Sequence, residues 1–211
     1  MPDKITKIVK LLNKNYNLTF YSREKPFRVL ISVMLSQRTR DENTLIASKK
    51  LFSRFDTAKK ILNADISEVK KLIKQSGFYN VKAKRIKEVS RILLDEYDGR
   101  VPHELDKLLK LPGVGRKTAN CVLVYAFRKP AIPVDTHVHR ISNRLGIVKT
   151  KTPEQTEHEL MRKIPKKYWI KINELFVKHG QTICNPIKPK CDKCVIIKLC
   201  DFKKYQKIFK R

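Results

Sequence analysis

The stretch Leu111-Pro112-Gly113-Val114-Gly115-Arg116-Lys117-Thr118-Ala119-Asn120 limits the possible folds more than any other part of the chain. Pro112 fixes one backbone angle, while Gly113 and Gly115 permit angles that residues with a Cβ avoid. Leu105, Leu108 and Leu109 precede it at helical spacing, and Thr118 to Phe127 follows as a mostly apolar helical run. The pattern predicts helix, tight hairpin, helix. A turn of this kind around Val114 is expected to leave several backbone N–H groups unpaired and facing outward, at the positive end of the second helix's dipole. Such a nest suits a phosphate. An αα-hairpin that merely packs would use the same glycines. Arg116 and Lys117 at the mouth of the turn favour the anion.

The rest of the chain also reads as helices. Apolar residues at 5, 8, 11 and 12 make a short amphipathic helix, and Phe27, Leu30, Ile31, Met34 and Leu35 repeat the pattern in a core helix. Asp41 is expected to cap the next helix, with Leu45, Ile46 and Leu51 as its buried face. Asp65 opens another, closed by Gly77. Asn80 to Tyr97 is a long helix with basic residues at 82, 84, 85, 87 and 91, ended by Asp98-Gly99. Pro133-Val134-Asp135-Thr136 starts a helix running to about Leu145, and Thr152-Pro153-Glu154-Gln155 reads as a capping box with proline at the first helical position. Trp169 to Val177 supplies the last long apolar face. No sustained alternation, low-complexity tract or internal repeat interrupts this reading. An all-α fold of about ten helices is expected.

Charge narrows the partners. Lys and Arg number 48 against 20 acids in 211 residues, a formal charge of +28, and 41% of residues are hydrophobic. A folded chain with so large a basic excess points to a polyanion. The basic residues are spread along the chain rather than clustered beside an apolar segment, which favours nucleic acid over membrane. No apolar run approaches the roughly 20 residues that span a bilayer. The start, Met-Pro-Asp-Lys-Ile-Thr-Lys, has no signal-peptide core, so a protein that is intracellular, cytoplasmic or nucleoid-associated, and not secreted, is expected.

Four of the five cysteines lie close together, as Cys184-x6-Cys191-x2-Cys194-x5-Cys200. Cys121, alone in the helix after the hairpin, reads as a buried residue. Disulfides are disfavoured in a chain without a secretion signal, so a metal centre is the better reading. Zinc usually takes two Cys-x2-Cys knuckles, and here there is one. A 4Fe–4S cluster accepts less regular spacing. The spacing favours iron–sulfur and leaves zinc open.

The hairpin motif, the later Val134-Asp135-Thr136-His137 and the four-cysteine pattern, in that order, resemble the endonuclease III family. These are helix-hairpin-helix DNA glycosylases with an associated abasic-site lyase activity. The resemblance runs from about Leu30 to Cys200. It implies two helical domains flanking a DNA-binding cleft: a six-helix barrel at about 20–130, and a second domain of 131–211 plus the N-terminal helix 1–19, carrying a 4Fe–4S cluster on its cysteine loop. The expected partner is double-stranded DNA with a damaged base or an abasic site, bound by a monomer.

The resemblance also assigns chemistry. A lysine among so many cations is ordinarily a solvated charge. Lys117, however, falls in the first turn of a helix beside Arg116, where dipole and like charge disfavour an ammonium. A neutral amine is a nucleophile. In the family the matching lysine attacks the sugar carbon bearing the damaged base, expels the base, forms a Schiff base, and breaks the strand by elimination. Asp135 matches the carboxylate that stabilises positive charge on the sugar, as in glycoside hydrolysis. An aspartate before a helix is otherwise an N-cap. The two roles are compatible.

A base inside a duplex must be rotated out, and wedges must fill the gap. Phe78 matches the position where the family often carries an intercalating apolar side chain; a core aromatic before a helix is the plainer alternative. In the loop after Leu35-Ser36, better-known members carry a glutamine where Arg38 stands here, preceded by Gln37. This departure bears on the opposite base. Phosphate contacts are expected from Gly113, Val114, Gly115, Arg116, His137 and the basic stretch from Lys82 to Arg91. Lys188, Lys190, Lys193 and Lys198 on the cysteine loop, and the basic tail beyond Cys200, are expected to add to them.

Two other functions stay open on the sequence. One is a monofunctional glycosylase acting on uracil or thymine opposite guanine, or on adenine opposite oxidised guanine. Lys117 argues against it, as does the chain's end soon after the cysteines, without the adenine branch's extra domain. The other is a non-enzymatic DNA-binding module, which would have no use for both Lys117 and Asp135.

Overall fold

The apolar periodicities become eleven α-helices, with no strand, among the residues that the computed structural model describes, 2–18 and 24–202. The basic tail from 203 onward lies outside the described residues. In chain order the helices are α1 (Pro2–Asn15), α2 (Pro26–Ser36), α3 (Asp41–Phe52), α4 (Ala58–Asn63), α5 (Ile66–Leu72), α6 (Tyr79–Tyr97), α7 (Leu105–Leu109), α8 (Arg116–Phe127), α9 (Thr136–Arg144), α10 (Pro153–Lys163) and α11 (Trp169–Thr182). The all-α expectation holds. The chain divides into two compact units, Ser22–Arg128 and the joined segments Met1–Tyr21 and Lys129–Arg211.

In the Ser22–Arg128 unit, α2 is the central helix. Phe27, Leu30, Ile31, Met34 and Leu35 are buried along it, and it packs against α3, α6 and α8. Each such side chain contributes about 1.5–3 kcal/mol by leaving water. α4 and α5 lie on α6, and α7 on α8. Thr57 and Asp65 cap α4 and α5 by accepting from Lys60 N and Ser67 N.

Three local features differ from the pattern the sequence predicts. Asp41 is the first residue of α3 rather than its cap, since Arg40 occupies the cap position without a side-chain bond. The buried face of α3 is Ala47, Ser48, Leu51 and Phe52, leaving Leu45 71% and Ile46 40% exposed. Six residues carry the helix about 240° round its axis, so Leu45 and Leu51 do not share a face. α5 stops at Leu72, well before Gly77, which serves a close approach instead: a Cβ there would lie 2.9 Å from the Arg38 carbonyl oxygen.

The second unit has its own core. Ile5, Ile8, Val9 and Leu12 of α1 pack with Val138 and Ile141 of α9, Leu160 of α10, and Ile172, Leu175 and Phe176 of α11. α1 lies against α11, and α9 against both α10 and α11. Thr152 caps α10 by accepting from Gln155 N at 3.2 Å, with Pro153 as the first helical residue. The Gln155 side chain accepts from Lys151 N at 3.0 Å, one residue short of the reciprocal bond of a full capping box.

Candidate functional site

The hairpin between α7 and α8 closes on itself through Val114 N–H, which donates to the Leu111 carbonyl at 3.0 Å. The Val114 side chain is buried. Val114 was expected to offer an outward donor; its amide is spent inside the turn. The two glycines differ from it. Among the described residues, the N–H groups of Gly113 and Gly115 have no hydrogen-bond partner. Gly113 has φ +79, and a Cβ on it would sit 2.8 Å from Cδ of Arg85, whose side chain lies over the turn. Gly115 has φ −85 and ψ 177, angles open to any residue, and a Cβ there would meet nothing within 4 Å. Among the described residues nothing requires glycine at 115, so the bare backbone there suits a molecule from outside. Arg116 and Lys117, both half-buried, follow in the first turn of α8.

Gln37 braces this turn from behind. Its Nε2 donates to the Gly113 carbonyl at 2.8 Å and to Thr118 Oγ1 at 3.2 Å. Expected at the DNA, its side-chain NH2 is committed within the protein.

Arg38 and Phe78 come together. Both are non-glycine residues in the left-handed region, at φ 51 and 59, and the Arg38 guanidinium lies 5.7 Å from the Phe78 ring centroid. Phe78 is 61% exposed, which removes the core alternative. A bulky residue pays roughly 1–2 kcal/mol for that backbone region, so something must hold each in place. Lys82 is part of the answer. Expected among the phosphate contacts, it is buried, and its ammonium is spent on oxygens of the surrounding loops. The sequence held a signal for this: Lys82, Ile86, Val89 and Leu93 share one buried face of α6.

In the second unit, Asp135 caps α9. Its Oδ1 accepts from Val138 N at 2.8 Å, and the residue is half-buried. The His137 ring packs on Gly180 of α11, with Nδ1 3.1 Å from Arg140 Nη2, so it is turned inward rather than extended. Arg140 and Arg144, which the sequence did not single out, tie α9 to the cysteine loop. Arg140 Nη2 donates to the Cys184 carbonyl at 2.9 Å, and Arg144 donates to the carbonyls of Asn185 and Pro186, each at 2.7 Å. Burial draws the Arg140 pKa down, opposed by the Cys184 and Asp135 charges.

Cys184, Cys191, Cys194 and Cys200 form no disulfide and line one pocket with Ile141, Leu145, His179 and Ile196. Arg144 Nη1 lies 3.3 Å from Cys184 Sγ. Burial pushes the Cys194 thiol up to about 11, and the other three cysteines add to it. Burial also holds neutral His179 down to about 4; its Nε2 is 3.6 Å from Cys194 Sγ and its Nδ1 3.0 Å from the Tyr16 hydroxyl. Lys188, Lys190, Lys193 and Lys198 of this loop are exposed. Cys121 is buried in α8. Among the described residues no helix is long and apolar enough to cross a membrane.

A helical fold with a glycine hairpin, a lysine behind it and a four-cysteine loop defines a helix-hairpin-helix base excision repair protein. Residues 31–166 match the model of the HhH-GPD superfamily base excision DNA repair proteins. The chain is 54% identical over 195 residues to endonuclease III of Thermotoga maritima, covering 92% of this chain and 89% of that one. The fold is similar to that of a trapped endonuclease III–DNA covalent intermediate, with TM-score 0.88, 34% identity, and coverage of 98% and 99%. A thermostable thymine-DNA glycosylase is also similar, with TM-score 0.82, 29% identity and 95% of each chain covered. The chain belongs to the endonuclease III family, base excision repair enzymes of the DNA glycosylase and abasic-site lyase class.

Proposed function

We propose that this enzyme removes oxidised pyrimidines of the thymine glycol type from duplex DNA and cleaves the resulting abasic site by β-elimination. The observation that carries the proposal is Lys117 in the first turn of α8, directly behind two glycine amides that have no hydrogen-bond partner among the described residues. In this reading Gly113, Gly115 and Arg116 hold a backbone phosphate. The Lys117 amine attacks C1′ of the damaged nucleotide. The glycosidic bond breaks with its electron pair leaving on the base, which takes up a proton, and Asp135 stabilises the positive charge on the sugar. The C1′–O4′ bond then breaks, its electron pair and a proton going to O4′, as the nitrogen gives up a proton and joins C1′ in an imine. A proton leaves C2′, the C3′–O bond breaks, and water releases the lysine.

Arg38 and Phe78 serve as wedges, filling the space left by the extruded nucleotide. Their exposure and their shared strained geometry support this reading. Arginine in place of the usual glutamine can stack on, and donate to, the unpaired base opposite the lesion.

The cysteine pocket fits a 4Fe–4S cluster better than zinc. Four thiols line one pocket, and their Cys-x6-Cys-x2-Cys-x5-Cys spacing lacks the second Cys-x2-Cys knuckle that zinc usually takes, whereas a 4Fe–4S cluster accepts such spacing. Cys184, Cys191, Cys194 and Cys200 would hold it. When bound, the cluster clamps the loop that presents the four exposed lysines. Anaerobically purified protein should contain about four iron and four sulfide per chain. One zinc per chain and no sulfide would overturn this assignment.

The glycine reading has its own check. Gly115→Ala should keep folding stability within about 1 kcal/mol, since alanine tolerates the backbone but caps a helix less well. Duplex affinity should fall roughly tenfold, because the added methyl holds the phosphate off the Gly115 amide and forfeits a charge-assisted hydrogen bond. Fluorescence anisotropy at several salt concentrations should give an unchanged salt slope, because no charge is removed.

A water-using mismatch glycosylase is the second reading, favoured by the similarity to the thymine-DNA glycosylase. Incubation with a thymine glycol duplex followed by borohydride separates the two. A covalent protein–DNA band supports the lyase. Alkali-labile sites without a band, on guanine·thymine or guanine·uracil pairs, would establish the water-using enzyme instead.

A further inference from the structure

Lys82 stands where a lysine is costly, 5% exposed on the buried face of α6. Its ammonium lies 2.7 Å from the Leu35 carbonyl oxygen, 2.6 Å from that of Gln37, 2.9 Å from Thr39 Oγ1 and 2.8 Å from Ser76 Oγ. Three N–H donors serve these four oxygens, leaving none for a phosphate. Among the described residues no carboxylate comes within ion-pairing distance. Dipoles supply the compensation instead: Leu35 carries one of the last carbonyls of α2, at the negative end of that helix. Burial draws the Lys82 pKa down to about 8, so at neutral pH the group is still mostly charged.

The four oxygens belong to two segments, the end of α2 with the loop that follows it and the loop before α6. Leu35, Gln37 and Thr39 bracket Arg38, and Ser76 stands just before Phe78. The two segments also bond each other directly: Ser76 Oγ donates to the Leu35 carbonyl at 2.9 Å, and Gly77 N to Thr39 Oγ1 at 3.0 Å. The bare Cα of Gly77 lets the Arg38 carbonyl pass close by. Lys82 is the group that touches every strand of this tie.

We infer that Lys82 is a positioning residue for base extrusion, whose ammonium cross-ties the two segments and holds Arg38 and Phe78 together in their left-handed conformations. The inference rests on the reading of those two residues as wedges. Lys82 itself touches no DNA. Removing its donors leaves the Leu35 and Gln37 carbonyls without that partner, and each loop is then free to relax to a less strained backbone.

The test is a cycle with Lys82→Met, the double variant Arg38→Ala/Phe78→Ala, and their combination. Each is checked for folding by circular dichroism. The first readout is fluorescence of 2-aminopurine placed opposite a tetrahydrofuran abasic analogue, which reports unstacking without cleavage. The second is single-turnover excision of thymine glycol. The parent should brighten the probe, and Lys82→Met should bind the same duplex with most of that rise lost. Excision should slow about 100-fold, the cost of an ångström-scale misplacement. In the wedge-less background, Lys82→Met should slow excision no further, within about twofold.

The same 100-fold slowing in that background, or full brightening by Lys82→Met, would overturn the inference while leaving the wedges intact. Parent-like brightening by Arg38→Ala/Phe78→Ala alone would overturn the wedge reading and the inference with it. If Lys82→Met does not fold, Thr39→Val enters the same cycle. It removes one oxygen of the tie and should slow excision about tenfold, the weight of one hydrogen bond to a charged group, only while the wedges are present.

Discussion

Lys117→Ala is expected to abolish the covalent band that borohydride traps and to slow excision of thymine glycol by about 10⁴-fold, more than 5 kcal/mol of barrier. The size follows from the role. A nucleophile that forms a covalent bond to the sugar has no neighbour to replace it, and water held in the same place is weaker. Lys117 is half-buried in the first turn of α8, so its loss should change folding stability by no more than about 1 kcal/mol. Duplex affinity should fall only about threefold, because one cation among 48 basic residues is removed. Lys117→Arg separates charge from chemistry. The guanidinium keeps the cation and cannot form an imine, so this variant should bind like the parent and trap nothing. Retention of a trapped band by either variant would move the nucleophile to another amine. Single-turnover excision, borohydride trapping and anisotropy on one duplex make the three measurements.

Much of the helical frame was legible because burial leaves a periodic trace. The stripe Phe27, Leu30, Ile31, Met34 and Leu35 reads as a core helix from its spacing alone, and α2 is the centre of its unit. The hairpin was legible for a different reason: glycine and proline report backbone angles directly. What escaped depends on contacts between distant segments. The Gln37 amide bonds a carbonyl 76 residues away at Gly113, and nothing near Gln37 in sequence announces it. Val114 N–H is consumed by the turn's own closure, a matter of geometry rather than residue type. In α3, Leu45 and Ile46 are apolar yet exposed, so residue type alone assigned them to the wrong face.

Lys82 failed in the opposite direction. Its spacing with Ile86, Val89 and Leu93 marked it as buried, but its charge suggested the surface. Where period and residue type disagree, the conflict itself points to a site, because burying an unpaired charge is tolerated only where surrounding groups compensate for it. The same logic applies to Phe78, a large apolar residue left exposed in a strained conformation. Both lie in one small region, beside the turn that carries the glycine amides' brace. The cysteine loop was legible from spacing alone, whereas Arg140 and Arg144, which bond its carbonyls, look like any other cations of a basic chain.

Asp135→Asn should separate the cap from the chemistry. Asparagine caps a helix about as well as aspartate, so the bond from Val138 N, 2.8 Å long in the parent, should persist, and stability should stay within about 0.5 kcal/mol. Arg140 keeps its acceptors at Cys184 and Gly180, so the tie between α9 and the cysteine loop is not the variable. What disappears is a negative charge that stabilises the sugar as the glycosidic bond breaks. Removing one preorganised electrostatic partner of a transition state costs roughly 10²–10³-fold in rate, and excision of thymine glycol should slow by that much. Elimination at a preformed abasic site has no glycosidic bond to break, so it should slow less. Asp135→Ala removes cap and charge together. It should match the asparagine variant in excision while losing about 1 kcal/mol of stability in a thermal or urea unfolding series. Full excision by Asp135→Asn would reduce Asp135 to a helix cap. The charge on the sugar would then have to be met by another carboxylate or by the leaving base alone.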